Sequence, residues 1–323
     1  MQRRLFLTTA LAAPTLARAQ TQPAWPGERP IEIIVVVPPG GGLDALARLL
    51  APHLATKLGN GARFVINNRG GAGTQIGNEA IFNAAPDGFT LGCITAPALL
   101  AVPIERQARY SGTGFSYLAN VVEDPNAFWV RADSPFKSTA DLLATARARP
   151  GTLSYGTTGV GGDDHIAMLA FEGATGMPPM VHAPFAGSGP GMQALLGGHL
   201  DLSVGNISES IALLREGKLR CLGVAATTRY PATPEVPTFR EQGINLIAAA
   251  SRGFVAPPGL PPAIQARLEA AFTAALAEPA FIRDAERAAM PLRPVVGAAY
   301  RQMMLSMDEN LRALWQRRPW KEG

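Results

Sequence analysis

From residue 30 onward, short apolar runs that favour strands alternate with segments in which leucine recurs at helical spacing. The first run, 32–37, reads EIIVVV, as expected for a strand that is buried on both faces. The segment after it repeats leucine every three or four residues, as on one face of a helix, at Leu43, Leu46, Leu50, Leu54 and Leu58. A strand at 63–67, a helix at 74–85 and a strand at 89–95 follow. This βαβαβ rhythm predicts a parallel, doubly wound sheet.

A second block resumes the same rhythm after residue 137. Its predicted helices are 138–149, 163–175, 188–196 and 208–216, and its predicted strands are 153–155, 181–183, 200–204, 219–225 and 247–255. Further helices are expected at 262–277, 279–290 and 297–315. We expect the chain to cross between two lobes near residues 120–130 and 230–250, because two crossings make a hinge with a central cleft. Lobe 1 is predicted to contain residues 20–124 plus 247–323, and lobe 2 residues 125–246.

The first 19 residues are typical of an export signal. Arg3 and Arg4 precede the apolar run Leu5–Ala17, which is too short to span a bilayer, and ARA at 17–19 fits a cleavage site. The twin-arginine route and the general secretory route both stay open. No later apolar stretch approaches about 20 residues, the length of a membrane span. The mature chain, from Gln20, is therefore predicted to be exported and soluble, without membrane insertion.

Charge and composition argue against several classes of protein. Three of the 29 basic residues lie in the signal, so 26 basic residues stand against 25 acidic ones in the remaining chain. A near-neutral chain without a Lys/Arg run has no nucleic-acid footprint. Two cysteines, Cys93 and Cys221, and four histidines without an HExxH motif favour neither a zinc nor an iron–sulfur site. No metal and no cofactor are predicted, and both cysteines are expected to pack in the core.

Glycine is concentrated in four short turns, each between a predicted strand and a predicted helix. The turns are 40–42, 70–73, 156–162 and 187–191, two in each predicted lobe. Glycine lets backbone N–H groups approach a ligand closely, and a helix N-terminus adds unpaired donors and partial positive charge. Turns from two lobes around one cleft therefore predict a small anion held from both sides without an arginine. The alternative is that tight strand-to-helix turns need glycine in any case.

Enzyme motifs are weakly represented. There is no GxxxxGK[ST], GAGTQI at 71–76 breaks GxGxxG at its last position, and AGSGP at 186–190 lacks both flanking glycines of GxSxG. Asp163 and Asp164 lie beside His165, so a carboxylate–histidine pair is conceivable. The competing interpretation is that Asp163 caps the helix that begins there. No catalytic residue is assigned, and a periplasmic hydrolase or transferase of small acids remains the alternative function.

Seven segments occur in an order and spacing typical of one protein family. They are PGGGLDALARLLAP (39–52), INNRGGAGTQIG (66–77), APDGFTL (85–91), LSYGTTGVGGDDHIA (153–167), HAPFAGSGPGMQALLGGHLDL (182–202), GKLRCLGVAATTRYPATPEVPTF (217–239) and GFVAPPGLP (253–261). Together they resemble the substrate-binding receptors of tripartite tricarboxylate transporters, often called Bug proteins. The resemblance extends from about Trp25 to Trp315.

The resemblance implies a two-lobed, type II-like periplasmic-binding-protein fold, with two doubly wound α/β sheets joined by a hinge, that closes on a small carboxylate. It places ligand contacts in the first turn, at Pro39, Gly40, Gly41, Gly42 and Asp44. It places further contacts in the second lobe, at Thr157, Thr158, Gly161, Asp163 and His165. By family position, three more residues line the cleft, with packing or capping as their alternative role: Thr95, Phe185 and Asn206.

The resemblance also implies partners and a location. A periplasmic monomer is expected to deliver its ligand to the membrane permease subunits of such a transporter, or to a sensor protein. It is expected to bind no nucleic acid and to be no enzyme. A stand-alone sensory binding protein is the other alternative.

Three departures from the family pattern leave the ligand open. Gly162 occupies a position often held by serine, which removes a hydroxyl. Asp163 and Asp164 replace a neutral pair, and an acid in the cleft would favour a ligand that carries an amine as well as a carboxylate. Arg252 stands where an aromatic residue is common. An inward Arg252 would add a second carboxylate contact, whereas an outward one would only remove an aromatic wall.

Overall fold

The computed structural model describes residues 25–320, along which strands and helices alternate. The strands are β1 (Ile31–Val35), β2 (Phe64–Asn68), β3 (Thr90–Ala96), β4 (Ser116–Arg131), β5 (Ser154–Thr157), β6 (Val181–Pro184), β7 (Leu202–Asn206), β8 (Leu219–Val224), β9 (Ala249–Ala256) and β10 (Leu292–Val296). The helices are α1 (Gly42–Leu58), α2 (Gln75–Phe82), α3 (Ala98–Glu105), α4 (Thr139–Ala148), α5 (Asp163–Thr175), α6 (Ser188–Leu196), α7 (Ile207–Arg215), α8 (Pro262–Leu276), α9 (Pro279–Arg287) and α10 (Ala298–Arg317). The predicted export signal and the mature start at Gln20 lie outside the described residues.

The predicted βαβαβ unit is confirmed. β1 lies between β2 and β3 and pairs with both in parallel. All five leucines of the predicted helical face are buried in α1. β5 likewise pairs in parallel with β6 and β7, and α5 and α6 have the predicted bounds. The prediction succeeds here because strand, glycine turn and amphipathic helix are all encoded locally.

Three elements escape the sequence analysis: α3, β4 and β10. β4 is 16 residues long and contains Asp124-Pro125 at its middle, a pair that reads as a turn. Its first part pairs antiparallel with β9, and its second part pairs antiparallel with β7 and β8. The sheets are therefore mixed rather than wholly parallel, and β4 belongs to both.

The sheet path runs β2-β1-β3-β9-β4-β7-β5-β6, with β10 and β8 also paired to β4. The largest hydrophobic cluster comes mostly from residues before 123 and after 253, and two smaller clusters come from residues 127–248. Cys93 and Cys221 are buried, as predicted, and both are free cysteines. Within residues 25–320, none of the helices is long and apolar enough to cross a bilayer. The lobe boundaries after Asp124 and after Leu246 stay predictions.

The C-terminal residues contact elements from both α/β blocks of the chain. α10 packs on α3 and β4, and the chain then reaches α5, where the Arg318 guanidinium donates to the carboxylate of Glu172. Trp320 is 1% exposed. Its indole Nε1 lies 3.3 Å from the position that a Cβ on Gly161 would take. The glycine turn before α5 is therefore packed directly against Trp320.

Candidate ligand-binding site

Three of the four glycine turns lead into helices whose N-cap residue is glycine, although among the described helices only α4 has a side-chain cap. The N-cap residues of α1, α5 and α6 are Gly41, Gly162 and Gly187, and none of these helices has a side-chain cap. No heavy atom lies within 4 Å of the Cβ position of Gly40, Gly41 or Gly187. The space beside these three glycines is therefore open, and a helix N-terminus with free N–H groups is an arrangement that can bind an anion.

Asp44 shapes the first of these turns. It is 4% exposed, and its carboxylate accepts from the Gly40 N–H at 3.0 Å, from Asn68 Nδ2 at 3.0 Å and from Arg48 Nε at 3.1 Å. Burial opposes ionisation, but the hydrogen bonds from Arg48, Gly40 and Asn68 outweigh it and lower the Asp44 pKa. The described contacts of Asp44 join the first turn to α1 and to the end of β2, and its ligand contact stays a prediction.

Asp164, not Asp163, stabilises the turn before α5. Its carboxylate accepts from the backbone N–H of Thr158 and, at 2.9 Å, from that of His165. A Cβ on Gly162 would lie 2.7 Å from Asp164 Oδ1, so glycine leaves room for this carboxylate. The capping interpretation of Asp163 is therefore wrong, because the adjacent acid reaches the free N–H groups.

The His165 ring is a structural part of the same turn. Its Nδ1 accepts from the Gly161 N–H at 3.1 Å, and the ring stacks on His182 at 4.1 Å, which stacks in turn on Tyr155. Burial lowers the pKa of His165 to about 3 and that of His182 to about 4. Neither carboxylate bonds the His165 ring in the described structure, so the conceivable carboxylate–histidine pair is not formed.

A cavity is lined by residues from β7, from α7 and from the turns before α5 and α6. The residues that line it are Thr157, Thr158, Gly187, Ser188, Gly191, Met192, Ser203, Val204, Gly205, Asn206, Glu209 and Ser210. The Phe185 ring packs beside this cavity. It lies 3.2 Å from a Cβ placed on Gly156 and 3.4 Å from a Cβ placed on Gly191. Thr95, near the end of β3, pairs in register with Arg252 of β9.

Arg252 points inward and links the elements around the cleft. Its Nη1 lies 3.2 Å from Asp124 Oδ2, and its Nη2 lies 2.7 Å from Glu209 Oε1 and 3.0 Å from Asn206 Oδ1. A Cβ on Gly42 would lie 2.5 Å from Nη1, so the first turn rests against the guanidinium. Arg252 thus points inward, which was one of the two expectations. Its guanidinium is paired with the carboxylates of Asp124 and Glu209 rather than left free for a ligand.

Asp163 joins this cluster through two amides. Its Oδ2 accepts from Asn126 Nδ2 at 2.7 Å and from Asn206 Nδ2 at 2.9 Å. Burial raises the Asp163 pKa, and the two amides oppose the shift. Burial also raises the pKa of Asp124 to about 6, against the opposing charge of Arg252. Three carboxylates therefore lie around one guanidinium, and we name Asp124, Asn126, Asp163, Asn206, Glu209 and Arg252 the cleft cluster.

Sequence reasoning missed half of the cleft cluster. Asp124 and Asn126 lie on β4, the strand that was not predicted, so nothing marked them as central. Glu209 lies in the first turn of α7, where an acidic residue is common because it interacts favourably with the helix dipole. Among residues 25–320, no group of three or more His, Cys, Asp and Glu side chains is placed to hold a metal ion.

The tripartite tricarboxylate transporter family receptor model matches residues 46–313. The chain belongs to this family. BugT from Bordetella pertussis is 34% identical over 265 residues, which cover 80% of this chain and 78% of BugT. MatC from Rhodopseudomonas palustris, solved with bound malate, is 28% identical with a TM-score of 0.80, covering 88% of this chain and 98% of MatC. A second protein from that organism, solved with adipate, is 29% identical with a TM-score of 0.77, covering 91% and 96%.

The receptor assignment confirms the family and the two-lobed fold predicted from the sequence motifs. The matching family is one of receptors. The individual contact residues of this receptor stay predictions, and the geometry places them in two groups. Thr157, Thr158 and Asn206 line the cavity, whereas Asp44 and His165 hold the turns in shape.

Proposed function

We propose that this receptor captures a small carboxylate between its lobes in the periplasm and delivers it to the membrane permease subunits of a tripartite tricarboxylate transporter. The observation that carries the proposal is the cavity lined by the turns before α5 and α6, together with the glycine turn before α1, which lies against Arg252 beside the lining residues Asn206 and Glu209. Malate in MatC and adipate in the second relative are both dicarboxylates. The predicted export signal supports the periplasmic location.

The N–H groups of the turns explain how a carboxylate drives closure. A ligand oxygen that accepts N–H groups from both lobes favours the closed form over the open form, and the population shifts accordingly. Backbone donors at helix N-termini supply partial positive charge without the side-chain entropy that a flexible arginine would lose. The permease would then recognise the closed form.

Thermal unfolding of the chain without its leader tests the proposal. A ligand present at 100 times its Kd stabilises a protein by about 2.7 kcal/mol. We expect malate, adipate or a related dicarboxylate to raise the Tm by several degrees. Absence of any shift across mono-, di- and tricarboxylates would contradict the proposal, and mass-spectrometric detection of a converted ligand would favour the enzyme alternative.

Substituting leucine for Gly41 is expected to weaken dicarboxylate binding at least tenfold without unfolding the protein. Gly41 has φ −84° and ψ 170°, which any residue adopts, and its Cβ position faces open space. A leucine side chain therefore fills the volume in front of α1 where the carboxylate is proposed to bind. Isothermal titration calorimetry measures the affinity.

Gly173→Leu provides the matched control, because Gly173 lies on α5 away from its N-terminus and also has no neighbour within 4 Å of its Cβ position. This control should bind like the wild type. Equal affinities for Gly41→Leu and Gly173→Leu would remove the first turn from the site.

A further inference from the structure

We propose that residues 318–320, which we name the strap, hold the turn before α5 against predicted lobe 1 and so favour the closed form of the receptor. Arg318 and Trp320 are then positioning residues, because they lie outside the set of residues that line the cavity and act through the turn. The inference rests on the proposed function and adds to it a contact between the lobes besides the two chain crossings.

The turn before α5 lies against predicted lobe 1 at two places. The carbonyl oxygen of Val160 is 3.9 Å from the position that a Cβ on Gly73, in the turn before α2, would take. A Cβ on Gly161 would lie 3.5 Å from the Cβ of Ala101, which belongs to α3. Val160 is also part of the largest hydrophobic cluster, most of which comes from predicted lobe 1. The turn is therefore at the contact between the lobes.

Trp320 packs between α10 and this turn. Its indole makes an edge-on contact with Trp315 of α10, with ring centroids 4.8 Å apart and planes at 72°. Its Nε1 lies 3.3 Å from the Cβ position of Gly161, and this nitrogen has no hydrogen-bond acceptor among the described residues. Apolar packing of a large aromatic side chain, rather than a hydrogen bond, therefore makes the contact.

Gly161 connects this contact to the ligand-binding part of the turn. Its N–H donates to Nδ1 of His165 at 3.1 Å, and Thr158 of the same turn lines the cavity. The φ of Gly161 is +74°, a conformation that other residues adopt only with strain. The shape of the turn and its packing on Trp320 therefore depend on the same glycine.

Arg318 fixes the body of α5. Its guanidinium donates to the carboxylate of Glu172 and, at 3.4 Å, to the carbonyl oxygen of Leu169. The side chain of Glu172 is only 2% exposed, and its other oxygen accepts from the Met180 N–H at 3.0 Å. Removing the cation from such a pair leaves an uncompensated buried charge. The strap is therefore bound to α5 by an ion pair and to the turn by an aromatic side chain.

The strap opposes movement of the turn away from predicted lobe 1. α10 packs on α3 and β10, so predicted lobe 1 carries the strap while the strap holds α5 of predicted lobe 2. Opening that separates the turn from α3 must break the contacts of Trp320 or Arg318. The apparent affinity of a receptor falls in proportion to the population of its binding-competent form. The strap therefore raises ligand affinity without touching the ligand.

Hydrogen–deuterium exchange without ligand tests whether the strap holds the turn. In Trp320→Ala, the amides of residues 158–165 should exchange about tenfold faster at pH 7.5, a typical size for coupling between two places in a protein. Small-angle scattering should give this variant a larger radius of gyration. Trp320→Phe should resemble the wild type, because the indole Nε1 has no acceptor to lose.

Trp25→Ala is the matched control for the exchange experiment. Trp25 packs against Gly88 and under the guanidinium of Arg267, all in predicted lobe 1. Its loss should leave exchange at residues 158–165 and the radius of gyration unchanged. Wild-type protection of these amides in folded Trp320→Ala would overturn the strap.

Calorimetry with malate and with adipate tests the effect on ligand capture. Trp320→Ala and Arg318→Met should each bind about tenfold more weakly than the wild type. Arg312→Met is the control, because its partner Asp308 lies on the same helix, and it should bind like the wild type. Wild-type affinity in both folded strap variants would overturn the inference and leave the proposed function intact. If the wild type binds neither acid, the exchange experiment decides on the strap and the thermal screen on the proposed function.

Discussion

Replacing Arg252 with methionine is expected to lower the free energy of unfolding by about 3–5 kcal/mol, the usual cost of leaving a buried charge without its partner. Asp124 is fully buried and pairs with Arg252 at 3.2 Å. Without the guanidinium, the carboxylates of Asp124 and Glu209 face each other across a site from which water is largely excluded. Urea denaturation at pH 7.5 measures the loss.

Arg287→Met is the matched control for Arg252→Met, because Arg287 pairs with Asp284 at the surface and its side chain is 74% exposed. Its effect should stay below about 1 kcal/mol. Adding Asp124→Asn to the Arg252→Met variant should recover part of the stability, whereas Asp124→Asn alone should destabilise. Equal losses for the two arginine variants would contradict the assignment of Arg252 as the central cation.

Acidification from pH 7.5 to pH 5 should destabilise the wild type by about 2 kcal/mol more than it destabilises the His165→Asn variant. Burial lowers the pKa of His165 to about 3 in the folded protein, against about 6.5 in an unfolded chain. Below pH 6.5 the unfolded chain binds a proton that the folded one does not. The stabilising contribution is complete above about pH 7 and is lost as the pH falls towards 3.

Asparagine suits this comparison because its Oδ1 can replace His165 Nδ1 as acceptor of the Gly161 N–H. His182 acts in the same direction, with a pKa lowered to about 4 by burial, and it is common to both proteins. His199→Asn, at an exposed position, is the control for the exchange of histidine for asparagine itself. Parallel pH–stability curves for wild type and His165→Asn would refute the buried, neutral histidine.

Sequence reasoning succeeded for elements that are set by residues close together in the chain and failed for elements that depend on distant strands. α5 and α6 were predicted with their observed bounds because a glycine turn and an apolar repeat identify them within a few residues. β4 was missed because the sequence analysis expected only a crossing between lobes near residues 120–130, and the strand exists through its pairing with β9, β7 and β8. The uncapped glycine turns were predictable in the same local way as the helices that they precede.

The sequence by itself determined the parallel βαβ units, the glycine turns with their open helix N-termini, and the family, because each depends on residues close together in the chain. Only the tertiary structure decided which acid serves the turn before α5, since Asp163 and Asp164 have the same local pattern and differ in what they meet. The tertiary structure alone also formed the cleft cluster. Asp124, Asn206 and Arg252 come from strands far apart in sequence, and they meet because β4 passes through both sheets.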